Sequence, residues 1–88
     1  MENIKIYGIE SCSYCNELKT MLTKNNINFD YVDVNLVENE VEYNQLHKLT
    51  KSDDVPIVKI NKKILVPNIS FKSINECYTI ITDLINEK

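Results

Sequence analysis

Two cysteines three residues apart, Cys12 and Cys15, stand between a short strand-like run, Asn3-Ile4-Lys5-Ile6-Tyr7-Gly8, and a stretch whose apolar residues have helical spacing, Leu18, Met21 and Leu22. The pair therefore falls at a strand-to-helix junction. At such a junction the first thiol meets the unpaired N–H groups and the positive dipole end of the helix, which favour thiolate over thiol. Two thiols so close also form a reversible two-electron switch, free dithiol in one state and disulfide in the other.

The rest of the composition narrows the setting. A chain of 88 residues, 43% hydrophobic and 26% charged, is expected to form one globular domain over residues 1–88 with room for one core. No apolar stretch reaches membrane-spanning length, and the N-terminus lacks a charged-then-apolar leader pattern, so a cytoplasmic protein with no membrane partner is expected. Three cysteines with one close pair do not make a structural disulfide framework, which agrees with a reducing compartment. A net charge of −3 with scattered acids offers no basic stripe to nucleic-acid phosphates.

Periodicity gives the order βαβαββα. A strand over about 3–8 leads to a helix over about 13–25, ended by Asn25-Asn26. Phe29 to Val34 reads as a second strand, and Asn35 with Glu38 resembles a capping box opening a second helix, with Val37, Val41, Gln45, Leu46 and Leu49 as its apolar stripe. Pro56 to Ile60 and Lys63 to Val66 form a hairpin around Asn61-Lys62, and Phe71, Ile74, Tyr78, Ile81 and Ile85 mark a C-terminal helix. A right-handed βαβ unit followed by a hairpin gives an α/β fold with a four-stranded mixed sheet flanked by three helices.

With these elements in place, the chain resembles a glutaredoxin of the thioredoxin-like fold, of the dithiol C-S-Y-C type. The resemblance rests on Tyr7-Gly8-Ile9-Glu10-Ser11-Cys12-Ser13-Tyr14-Cys15, on Lys19 in the following helix, and on Val55-Pro56 opening the third strand. It implies a thiol–disulfide oxidoreductase in which Cys12 is the nucleophile and Cys15 resolves the mixed disulfide, working as a monomer. Tyr14 would lie against a bound thiol substrate, and Lys19 would add charge to the site or stay a solvated surface residue. Val55-Pro56 would carry a cis peptide bond and offer the Val55 backbone to an extended substrate. Glutathione would be the reductant, with disulfide-containing proteins as substrates, ribonucleotide reductase among them.

Three departures bear on the donor. Ser13 stands where many dithiol glutaredoxins carry proline, and variants lacking that proline include some that hold a [2Fe–2S] cluster between two molecules with glutathione. The Gly-Gly pair that lets backbone approach glutathione is here Val66-Pro67, and Gly8 is the only glycine. A lysine often found before the motif is Ile9, while Asp54 precedes Val55. Asn68, Ile69 and Ser70 could still offer N–H groups. These departures leave open a redoxin reduced by a flavoprotein thioredoxin reductase, an iron–sulfur carrier, or an inactive interaction module.

The remaining residues have plainer readings. No metal ligand set is assigned, because adding Cys77 and His47 to the pair matches no usual zinc spacing. Cys77 reads as a semi-buried packing residue, His47 as a surface residue, Pro67 as the end of the fourth strand, and Glu38 to Glu42 as a solvated helix face.

Overall fold

The computed structural model describes residues 3–86. Along the chain lie β1 (Ile4–Gly8), α1 (Ser13–Lys24), β2 (Asp30–Asp33), a 3₁₀ turn (Val37–Asn39), α2 (Glu40–Thr50), β3 (Ile57–Ile60), β4 (Lys63–Leu65) and α3 (Ile74–Asn86). The sheet order is β2-β1-β3-β4, with β1 parallel to β2 and antiparallel to β3, and β3 antiparallel to β4. This is the expected mixed four-stranded sheet with three helices.

Strand alternation divides the side chains between two layers. Ile4, Ile6, Val58 and Ile60 face α1 and α3, where they pack with Leu18, Leu22, Phe71, Ile74, Cys77 and Ile81. Tyr7, Val32 and Ile57 face the other way and meet Leu46 of α2. The first cluster contains the larger core. Cys77 sits fully inside it, more deeply than a semi-buried position.

With one glycine in the chain, left-handed turns fall to other residues: Asn26 (φ 58°), Lys51 (φ 55°), Asn61 (φ 54°) and Asn68 (φ 66°). Asparagine tolerates this region best among non-glycine residues, which is why Asn25-Asn26 ends α1 and Asn61 turns the β3–β4 hairpin.

The second helix departs from the expectation in two respects. It begins at Glu40 rather than after Asn35, and no Asn35–Glu38 capping box forms; the Asn35 N–H instead donates to Asp33 Oδ1 at 2.9 Å. The expected apolar stripe also lies outside: Val41 is 70% exposed and Leu49 74%, and only Leu46 of the row is buried. The inner row is built around Leu46 with Glu42 and Tyr43, one turn before it. The Glu42 carboxylate accepts from Tyr7 Oη at 2.6 Å and Lys5 Nζ at 3.1 Å, so it is a sheet-facing group and not part of a solvated face. A polar inner row has no hydrophobic periodicity to reveal it.

α3 is capped by a motif that its sequence carries. Ser73 Oγ accepts from the Glu76 N–H at 3.1 Å, and the Glu76 carboxylate reaches back to the Lys72 N–H at 2.7 Å. This S-x-x-E arrangement starts the helix three residues after Phe71.

Candidate active site

Cys12 caps α1. Its backbone is extended (φ −83°, ψ 117°), and its sulfur accepts from the Cys15 N–H at 3.4 Å, meeting one of the helix's orphan amides. Cys12 is partly exposed, whereas Cys15, one turn inside, is 0% exposed. Burial, followed by hydrogen bonding with Cys12, pushes the Cys15 thiol up to about 11. At neutral pH Cys15 is therefore a protonated, inaccessible thiol.

Val55-Pro56 carries the cis peptide bond that the resemblance implied, and the Val55 carbonyl lies 4.0 Å from Cys12 Sγ. Val55, Pro56 and Tyr14, which is 62% exposed, line one end of a cleft of about 600 Å³. From there the cleft runs past Pro67 and Asn68 to Phe71 and the first residues of α3, Ile74 and Asn75. Pro67 thus forms part of the cleft wall as well as following β4. Glu17, Asp54 and Lys72 supply charge along the cleft.

The loop before α3 uses its own amides. Asn68 N–H donates to Phe71 O at 2.8 Å, and the Ile69 and Ser70 N–H groups both donate to Val66 O, at 3.2 and 2.8 Å. The three donors expected to face a ligand are committed within the loop. Asn68 Nδ2 meanwhile donates to Asp54 Oδ2 at 3.4 Å, tying the loop to the residue before Val55.

Lys19 is not among the cleft-lining residues. One turn past Cys15 on α1, its Nζ stands 4.0 Å from the centroid of the Tyr31 ring. Tyr31 is a neighbour of the thiol pair that periodicity alone did not single out. It pairs with Ile6 across the β1–β2 ladder, faces α1, and donates from its hydroxyl to Ile9 O at 3.0 Å. His47 lies outside the site, 2.8 Å from Asp53. Among the described residues, no group of three or more His, Cys, Asp or Glu gathers as a metal site.

Of the cleft residues, Tyr14, Val55 and Pro56 are those expected to bind substrate, and Asn68 is expected only to offer its N–H. Glu17, Lys72, Ser73 and Asn75 carry no motif for this role, and only Ser73-x-x-Glu76 could have marked where α3 begins.

Comparison with known proteins bears on the family and the fold. A model of the glutaredoxin family matches residues 4–65. A relative from Clostridium pasteurianum, described as an uncharacterized glutaredoxin-like 8.6 kDa protein in the rubredoxin operon, is 36% identical over 63 residues, 72% of this chain and 81% of the relative. Similar solved structures include a glutaredoxin of Archaeoglobus fulgidus, at TM-score 0.70 and 18% identity over 99% of this chain and 89% of that one. A Francisella tularensis glutaredoxin complexed with cacodylate gives 0.66 and 20%, covering 99% and 100%. A buckwheat glutaredoxin–glutathione complex gives 0.69 and 14%, covering 93% and 70%.

Proposed function

Because the chain belongs to the glutaredoxin family, we propose that it is a dithiol thiol–disulfide oxidoreductase in which Cys12 attacks and Cys15 resolves. The observation that carries this assignment is the asymmetry of the pair. Cys12 is accessible beside the cleft, while Cys15 is enclosed and protonated.

In the forward reaction the Cys12 thiolate attacks one sulfur of a substrate disulfide. A Cys12 mixed disulfide forms, and the other substrate sulfur leaves as a thiolate that takes a proton from solvent. Cys15 then gives up its proton and attacks Cys12 Sγ, closing the Cys12–Cys15 disulfide and releasing the second substrate thiolate. Two electrons pass from protein to substrate. With a protein–glutathione mixed disulfide the first step alone releases the protein thiol.

Glutathione is the reductant in our reading. Its first thiolate attacks Cys12 Sγ and expels Cys15; a second attacks the resulting mixed disulfide, restoring Cys12 and leaving oxidised glutathione. The cleft gives the tripeptide an aromatic wall at Tyr14, the Val55 backbone, and the N-terminal end of α3, whose dipole suits a carboxylate. The buckwheat relative's complex with glutathione supports this choice. Disulfide-containing proteins, ribonucleotide reductase among them, are the proposed substrates.

A second reading is favoured by the loop amides committed to Val66 and Phe71, and by Asp54 at the cleft. In it a flavoprotein thioredoxin reductase supplies the electrons. Turnover of a glutathionylated thiol with glutathione, glutathione reductase and NADPH supports the first reading. Turnover with thioredoxin reductase and NADPH, but not with glutathione, replaces it by the second.

Cys15→Ser tests the division of labour. Deglutathionylation should survive, because it needs Cys12 alone, while reduction of protein disulfides should fall at least about tenfold. Loss of both activities in this variant would refute the assigned roles.

A further inference from the structure

The Cys15 sulfur is packed into a polar corner that resolution and recycling both use. It lies against Gly8, where a Cβ would come within 2.6 Å of Cys15 Sγ and within 2.7 Å of the Tyr31 hydroxyl. The sulfur and the hydroxyl thus share the space left by one missing methyl group. The Ile9 backbone acts on the same sulfur, lowering the Cys15 thiol against the rise that burial causes. Above the other end of the arrangement, Lys19 Nζ stacks on the Tyr31 ring at 4.0 Å, and a cation on the ring face draws electron density from the phenol and strengthens its O–H as a donor.

We propose that the Tyr31 hydroxyl, assisted by the Ile9 backbone, cradles the Cys15 sulfur whenever it carries charge, so that Tyr31 is a positioning residue for the resolving thiol. This rests on the dithiol reading above. Cys15 is anionic twice: as it attacks the Cys12 mixed disulfide, and as it leaves when the Cys12–Cys15 disulfide is reduced. With Cys15 protonated, the hydroxyl donates to Ile9 O; with Cys15 anionic, it turns to the sulfur. No proton moves from Tyr31. Burial and the nearby Cys15 hold its phenol well above the ordinary value, so it donates a hydrogen bond and is not a base. The Cys15 proton goes to solvent.

The charged and titratable groups around this corner are few. Cys12 raises the Cys15 thiol and Tyr31 lowers it; Asp33 and Cys12 act on the Tyr31 phenol, and Lys19 covers its ring.

Tyr31→Phe removes the oxygen and keeps the ring. In a Cys12→Ser background, the Cys15 13Cβ chemical shift followed against pH by NMR should show its midpoint raised by about one unit, a tenfold loss of thiolate at a given lower pH. In the otherwise native protein, the rate of protein-disulfide reduction relative to deglutathionylation should fall about tenfold. An unmoved Cys15 midpoint overturns the proposal. So does an equal fall in both activities, which a merely structural residue would produce. The NMR titration needs no turnover, so a protein inactive toward disulfides would defeat the dithiol reading while the cradle is still judged by the midpoint.

Discussion

The Cys15 sulfur occupies the volume that a side chain on Gly8 would need: a Cβ built there would stand 2.6 Å from Cys15 Sγ. Gly8 has no positive φ, so space and not backbone freedom selects glycine here. The end of β1 and the inner thiol are fitted to one another, and the Tyr31 hydroxyl closes the same gap.

Gly8→Ala should therefore overpack this corner. The expected cost is about 1–3 kcal/mol in urea or guanidinium unfolding of the reduced protein, together with slower closure of the Cys12–Cys15 disulfide. Wild-type stability in this variant would show that β1 or α1 can shift freely.

The cysteines should differ sharply in reactivity. In the reduced native protein near pH 7.5, iodoacetamide should label Cys12, with Cys15 and Cys77 protected. Both are fully buried, and burial pushes Cys15 up to about 11 and Cys77 up to about 12. Denaturation should expose all three, as peptide mapping by mass spectrometry can establish.

Glu42 joins α2 to the sheet through charge-assisted hydrogen bonds. Those from Tyr7 and then Lys5 hold its carboxyl below the ordinary range. Its stabilisation is present above the unfolded carboxylate pKa of about 4.3 and is lost as pH falls through the lower folded value. Glu42→Gln should cost about 1 kcal/mol near pH 7, a figure discounted for the partial exposure of the pair. The difference from wild type should shrink below pH 4 in denaturation curves.

Leu46 and Leu49, three residues apart on α2, should behave oppositely. Leu46→Ala opens the cluster with Tyr7, Val32 and Ile57 and should cost about 2–5 kcal/mol. Leu49→Ala changes an exposed position and should stay within about 0.5 kcal/mol, measured by thermal or denaturant unfolding.

Local chemistry made much of this protein legible in its residues. The thiol spacing, the alternation of β1, the Asn-ended first helix and the apolar row of α3 each reflect a force acting within a few residues. Family likeness added the cis Val55-Pro56 bond, which local preference alone would have made trans.

The order of residues thus determined the strand–thiol–helix junction, the sequence of elements and the sheet they form. Tertiary structure alone decided which row of α2 faces the sheet, because Glu42 is held there by hydrogen bonds from Tyr7 and Lys5 on β1 and not by hydrophobicity of its own. It also decided that the loop after β4 satisfies its amides internally, and that Tyr31, sixteen residues beyond Cys15, shares the space above Gly8. Such pairings depend on where distant backbone segments converge, and no local period records them.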